Sequence, residues 1–207
     1  MSKDELLRGM LARPGEDGAY FGVVIGVVSN NRDPDGMHRV RVRFPWLNDA
    51  DESNWARVAC AMAGDGRGAY FLPEVGDEVL VAFEHGCAEF PYVLGGLWNG
   101  RDRPPEDNGD GENNFRCLKS RSGHLIRLGD RAGQETIEIV DKTGNNRIVF
   151  SASDNRIVIE AQGDIELTSR TGQVKISAIG IELEAKAGVT ISASTTVAVR
   201  GALVDLN

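Results

Sequence analysis

The feature that most constrains this chain is a recurring pair of apolar residues in its last third. Ile157/Ile159, Ile165/Leu167, Val174/Ile176, Ile181/Leu183, Val189/Ile191 and Val197/Val199 are each spaced i, i+2, and their first members follow at steps of 8, 9, 7, 8 and 8 residues. A spacing of two puts both side chains on one face of an extended strand. Small or turn-forming residues separate the pairs, as at Gly163-Asp164, Thr171-Gly172, Gly180, Ala187-Gly188 and Ser194-Thr195-Thr196. Each unit is therefore a short strand with one dry face, followed by a corner. One such strand cannot bury its pair by itself, because hiding two aliphatic side chains does not offset the entropy of ordering eight residues. Stacked units can share the burial. Two architectures do so: three chains wound around one axis, with every pair in a common interior, or a single-chain parallel β-helix. An octad with two inward residues fits the three-chain prism better than the hexapeptide coils frequent in single-chain helices. Ile137/Ile139 and Ile148/Phe150 read as earlier, less regular rungs. The prism is expected over residues 116–207.

Upstream the pattern is different. Residues 21–100 hold five strand-like runs: Phe21–Ser29, Arg39–Phe44, Trp55–Met62, Asp77–Glu84 and Phe90–Leu94. Turn formers lie between them, including Asp33-Pro34-Asp35-Gly36, Gly64-Asp65-Gly66 and Pro73-Glu74-Val75-Gly76. Five short strands without helical filler predict a small barrel of the OB type. Residues 101–115 are polar and rich in turn formers, as in a linker. Residues 1–20 contain Leu6, Leu7, Met10 and Leu11 at helical spacing before Pro14-Gly15, which predicts a short helix. The expected fold is all-β: an OB barrel followed by a triangular, trimeric β-prism of intertwined octads.

Composition excludes several functions. With 23 basic and 31 acidic residues the net charge is −8, which disfavours a phosphate-binding or anionic-lipid surface. Cys60, Cys87 and Cys117 are odd in number and widely spaced, so no disulfide framework is expected. No run approaches the ~20 apolar residues of a membrane helix, and residues 1–10 lack a signal-peptide core. Synthesis in the cytoplasm without a signal peptide, and no stable membrane insertion, are the expectations.

No catalytic set, cofactor site or metal site is expected. His85-Gly86-Cys87 has no companion ligands and reads as a turn. Asn30, Asp33, Asp35 and Gly36 resemble a calcium loop but lack its bidentate glutamate. Gly64-Asp-Gly-Arg-Gly68 lacks the lysine of a phosphate cradle. Arg39, Arg41 and Arg43 share one strand face. They suit nucleic acid on an OB surface, or acidic groups of a neighbouring subunit or hub; the acidic whole favours the latter.

The barrel segment resembles the VgrG and phage baseplate protein V (tail spike) family. The resemblance rests on Arg39-Val-Arg-Val-Arg-Phe-Pro-Trp46, Trp55-Ala-Arg-Val58, Gly68-Ala-Tyr-Phe-Leu-Pro-Glu-Val-Gly-Asp-Glu-Val79, Val81-Ala-Phe-Glu-His-Gly86, Pro91-Tyr-Val-Leu-Gly95 and Leu97-Trp-Asn-Gly100, in the family's order. It implies a homotrimeric, non-enzymatic central spike of a contractile injection system, within a phage tail or tail-like particle. A hub, other baseplate proteins and a small PAAR-type tip protein are the implied partners. Cys87-Ala88 stands where many members have Asp-Pro. His38, His85 and His124 leave no His-x-His iron tip, so a partner is expected to finish the spike. Leu203, Val204, Leu206 and Asn207 at the C-terminal end are the expected tip-protein dock, and a separate hub is expected at the barrel end. The alternative is an OB-type glycan- or oligonucleotide-binding module on a β-solenoid stalk.

Overall fold

The computed structural model describes residues 19–205. The helix expected at residues 1–20 and two dock residues, Leu206 and Asn207, lie essentially outside the described residues.

The first unit is a barrel built from β1 (Val23–Asn30), β2 (Arg39–Phe44), β4 (Ala56–Val58), β7 (Glu78–Phe83) and β8 (Pro91–Gly96). Neighbours run β1-β7-β8-β4-β2, and β1 also pairs with β2, which closes the ring. All pairings are antiparallel except β4 with β8. This is the connectivity of an OB barrel, as expected. Alternation sets the inside: Val24 and Val28 from β1, Val40 and Val42 from β2, Val79 and Val81 from β7, Val93 from β8 and Ala56 from β4 are buried. Phe44 and Phe83 plug one end, with Tyr20 and Trp46 packed against them.

Small residues permit the closure. A Cβ on Gly26 would come within 2.2 Å of Val42 Cγ1, so only glycine lets β2 cross β1 at this point. Gly86, at φ 76°, ends the short 3-10 turn Glu84–Gly86 and accepts the N–H of Tyr20 on its carbonyl oxygen. His85-Gly86-Cys87 is therefore a turn tied to the start of the chain's described part.

Two elements were not expected. β3 (Asn48–Glu52) extends β2 as a hairpin, although its residues are poor strand formers. The edge of β2 recruits it: Ser53 Oγ accepts the Val42 N–H, and Ser53 N–H donates to the Val42 carbonyl. The run expected as one strand over Trp55–Met62 ends at Val58. It continues as an exposed arm, residues 59–68, folded back on itself by β5 (Ala63–Gly64) and β6 (Arg67–Gly68).

The second unit is a five-stranded antiparallel meander: β9 (Phe115–Lys119), β10 (Leu125–Gly129), β11 (Thr136–Val140), β12 (Arg147–Ser151) and β13 (Arg156–Glu160). The pairs Ile137/Ile139 and Ile148/Phe150, expected as loose rungs, are here consecutive strands of one intrachain sheet. Residues 162–205 are exposed throughout, and residues 161–205 form no strand or backbone ladder among the described residues.

Candidate assembly surface

The meander has two chemically distinct faces. Cross-strand register aligns Leu118, Ile126, Ile139, Ile148 and Ile159 in one row. It aligns Arg116, Leu128, Ile137, Phe150 and Ile157 in a second row, two residues away along each strand and hence on the same face. Nine of these ten positions are large and apolar. All but the half-buried Ile148 are exposed: Ile126 is 46% exposed, Ile157 62% and Ile159 58%. Contiguous exposed apolar patches are characteristic of interaction sites.

The opposite face is mixed: Leu125, Val140, Val149 and Val158 stand among charged residues that pair with one another. Arg127 pairs with Glu138 at 2.7 Å and stacks over Phe115, its guanidinium carbon 5.1 Å from the ring centroid. Arg147 pairs with Glu160. The segment expected as a plain linker lies against this half of the molecule as a strap, with Glu106 3.7 Å from Arg127 and Asp110 3.5 Å from Arg131. Where barrel and sheet meet, an open groove of about 1500 Å³ is lined by Phe71, Trp98, Pro104, Leu118, Ile139 and Ile159 among others. Arg121 and Glu74, 2.9 Å apart, bridge the two units.

The last pair of the sheet, Ile157/Ile159 on β13, is also the first of the octads. The remaining expected trimer-core residues, Ile165, Leu167, Val174, Ile176, Ile181, Leu183, Val189, Ile191, Val197 and Val199, are all exposed in the single chain. Of the expected tip dock, Leu203 and Val204 are exposed as well. The outer edge of β13 has no strand beside it among the described residues. An uncovered edge and uncovered apolar pairs are the two groups that association satisfies together.

The three arginines of β2 have partners within the chain. Arg39 Nε and Nη2 donate to Asp33 at 2.8 and 2.7 Å, and Asp33 also accepts the backbone N–H of Asp35, Met37 and Arg39. The guanidinium holds the Asp33 carboxyl well below the usual carboxylate range. Asp33 is thus a hub of the β1–β2 loop, its oxygens spent on protein donors. Arg41 and Arg43 both approach Glu52, at 3.4 and 3.6 Å. Trp55 lies beneath Arg39 and Arg41, with guanidinium carbons 5.9 and 5.0 Å from its ring. Arg43 keeps about half of its side chain exposed (52%).

Sequence reasoning missed Leu118, Ile126 and Leu128 as part of the apolar face. The signal was present, since Ile126/Leu128 has the same i, i+2 spacing as the octads. The strap was missed because its contacts are long-range ion pairs that no local pattern announces.

The closed, valine-filled barrel places the first unit in the OB class, and the sheet that follows it has one apolar face. Comparison with known proteins gives the same class. Residues 24–98 match the family described as the type VI secretion system/phage-baseplate injector OB domain. The chain is similar to the type VI secretion system spike protein VgrG4b of Pseudomonas aeruginosa, 34% identical over 134 residues, covering 60% of this chain and 17% of the relative. It is similar to VgrG3 of Vibrio cholerae serotype O1, 33% over 147 residues, covering 68% and 14%. VgrG1b of P. aeruginosa is 30% identical over 152 residues, covering 71% and 20%. The barrel belongs to the VgrG and phage-baseplate family. The chain spans no more than about a fifth of the length of these relatives.

Proposed function

We propose that the chain is a structural subunit of the central spike of a contractile injection system, acting as a homotrimer. The observation that carries this reading is the apolar face of β9–β13, which runs without interruption into octads that a single chain leaves bare. Three copies around one axis would turn these faces inward and give each octad strand a neighbour on both sides. The opposite face, with the ion pairs Arg127–Glu138 and Arg147–Glu160, would then form the outside wall. The barrel, carrying its own closed core, would stand at the base and meet the hub. Arg43 is the arginine of β2 with the most surface left for that contact, next to Arg41 and Arg39.

At the other end the octads stop near Val199, and Leu203, Val204, Leu206 and Asn207 would present three copies of an apolar dock to one PAAR-type tip protein. Its deletion (residues 202–207) is expected to abolish tip binding while the trimer persists. Placement in a phage tail or tail-like particle follows from the same reading, and the energy for piercing would come from the machine rather than from chemistry in this chain. Among the described residues no helix is long and apolar enough to cross a membrane.

Light scattering on the purified chain tests the trimer. The mass expected is three times 22.4 kDa; a mass of one chain would remove the basis of the proposal. The oligonucleotide-binding form of the alternative would need free cationic groups on the barrel wall, and there Arg39 and Arg41 are bound to Asp33, Asp35 and Glu52.

A further inference from the structure

We propose that Asn108–Gly109, in the strap between barrel and sheet, is a self-modification site at which the folded chain converts Asn108 to aspartate and isoaspartate. The inference is independent of the spike reading, since it rests on the local arrangement of the strap. Three features converge there. Gly109 N–H donates to Asp107 Oδ1 at 3.1 Å, so a carboxylate stands where the attacking nitrogen must lose its proton. Asn108 Oδ1 accepts the N–H of Asn113 at 2.6 Å, which polarises the side-chain carbonyl and stabilises the oxyanion of the adduct. Gly109 has no Cβ to hinder its nitrogen, and one added there would lie against the Asp107 carboxylate, 3.4 Å from Oδ1. Asn108 is also exposed and held at φ 49°.

The step balances without any redox partner. The Gly109 nitrogen bonds to Cγ of Asn108, and the Cγ–Nδ2 bond breaks. The proton lost from Gly109 passes through the Asp107 carboxylate to the departing nitrogen, which leaves as ammonia. Water then opens the resulting five-membered imide at either carbonyl, giving aspartate or isoaspartate.

The chain contains its own control. Asn99–Gly100 is the same dipeptide in a different setting. Asn99 Oδ1 accepts the N–H groups of Arg101 and Asp102 at 2.9 and 2.7 Å, and its Nδ2 points at the carboxylates of Glu78 and Asp102 at 3.4 and 3.5 Å. Its carbonyl is thus polarised like that of Asn108, but its Nδ2 is held by two carboxylates, and the Gly100 N–H has no carboxylate partner among the described residues. Reaction at Asn108 bears on the strap. Glu106 and Asp110, which flank it, are the strap's two anchors on Arg127 and Arg131. A new negative charge between them, and the extra backbone methylene of isoaspartate, loosen that hold.

Peptide mapping by mass spectrometry on the full chain, aged at neutral pH, tests the proposal through the gain of about 1 Da that replaces an amide by an acid. Asn108 is expected to convert roughly tenfold or more faster than Asn99. Asp107→Ala is expected to slow Asn108 without altering Asn99, and Gly109→Ala to suppress the reaction. In urea the rates at the two sites should converge. Equal rates in the folded chain, an unchanged rate in Asp107→Ala, or a difference that survives in urea would each overturn it.

Discussion

Asp33 gathers five hydrogen bonds, two from the Arg39 guanidinium and three from backbone N–H groups of its own loop. The side chain is 5% exposed, so its charge is compensated within the fold. Asp141 plays a similar part in the β11–β12 turn, where Thr143 and Asn146 hold its carboxyl down to about 2. A carboxyl whose folded pKa is depressed contributes stability that is complete above the unfolded value of 3.8 and is lost as pH falls through the folded one. The acid limb of thermal stability should therefore fall between about pH 3.8 and 2 for Asp141 and continue lower for Asp33. Asp33→Asn should lower the melting temperature at neutral pH and flatten the lowest part of that limb. Trp55, stacked under Arg39, supplies the fluorescence to follow it. The Asp33-Pro34-Asp35-Gly36 turn was legible in the sequence. The clamp by Arg39 was not, because it depends on β2 returning past the loop after closure.

Among elements, β1, β2, β4, β7 and β8 were legible because alternating apolar positions against a polar background have no other stable reading. β3 was hidden because Asn48 to Glu52 carry no strand signal of their own; the open edge of β2 makes the strand. Of the octad pairs only Ile157/Ile159 lies in a strand of the single chain, and the meander over residues 115–160 was not separated from the octads, since an i, i+2 pair looks the same in a hairpin as in a rung. Gly26 marks the tightest point of the barrel. Gly26→Ala should destabilise it by about 1–3 kcal/mol, the range for overpacking a filled core, measured by urea unfolding. Ile139→Glu sits in the middle of the apolar face, with Ile126 and Ile148 as cross-strand neighbours. It should leave the barrel's unfolding transition in place while the mass in solution falls toward one chain.

At the scale of the whole molecule, the chain changes character at Glu160. Up to that residue every ladder is intrachain, and in the meander each strand bonds to the one just before it in sequence. Beyond it the octads have no intrachain ladder among the described residues. A chain with this division should melt in two steps when truncated after Glu160 and in one high, detergent-resistant step when whole. Electrophoresis with and without boiling checks the second.

The meander's sequential order also implies a timetable. Neighbouring strands that are neighbours in sequence close small loops, so the sheet can form quickly and by one chain alone. The octads must wait for collisions between chains. Refolding should thus show a fast phase indifferent to dilution, followed by a slow phase whose rate drops as protein is diluted. During the interval the apolar rows of β9–β13 stand open to any passing strand, which makes crowded nascent chains the moment at which a copy is most easily lost to aggregation.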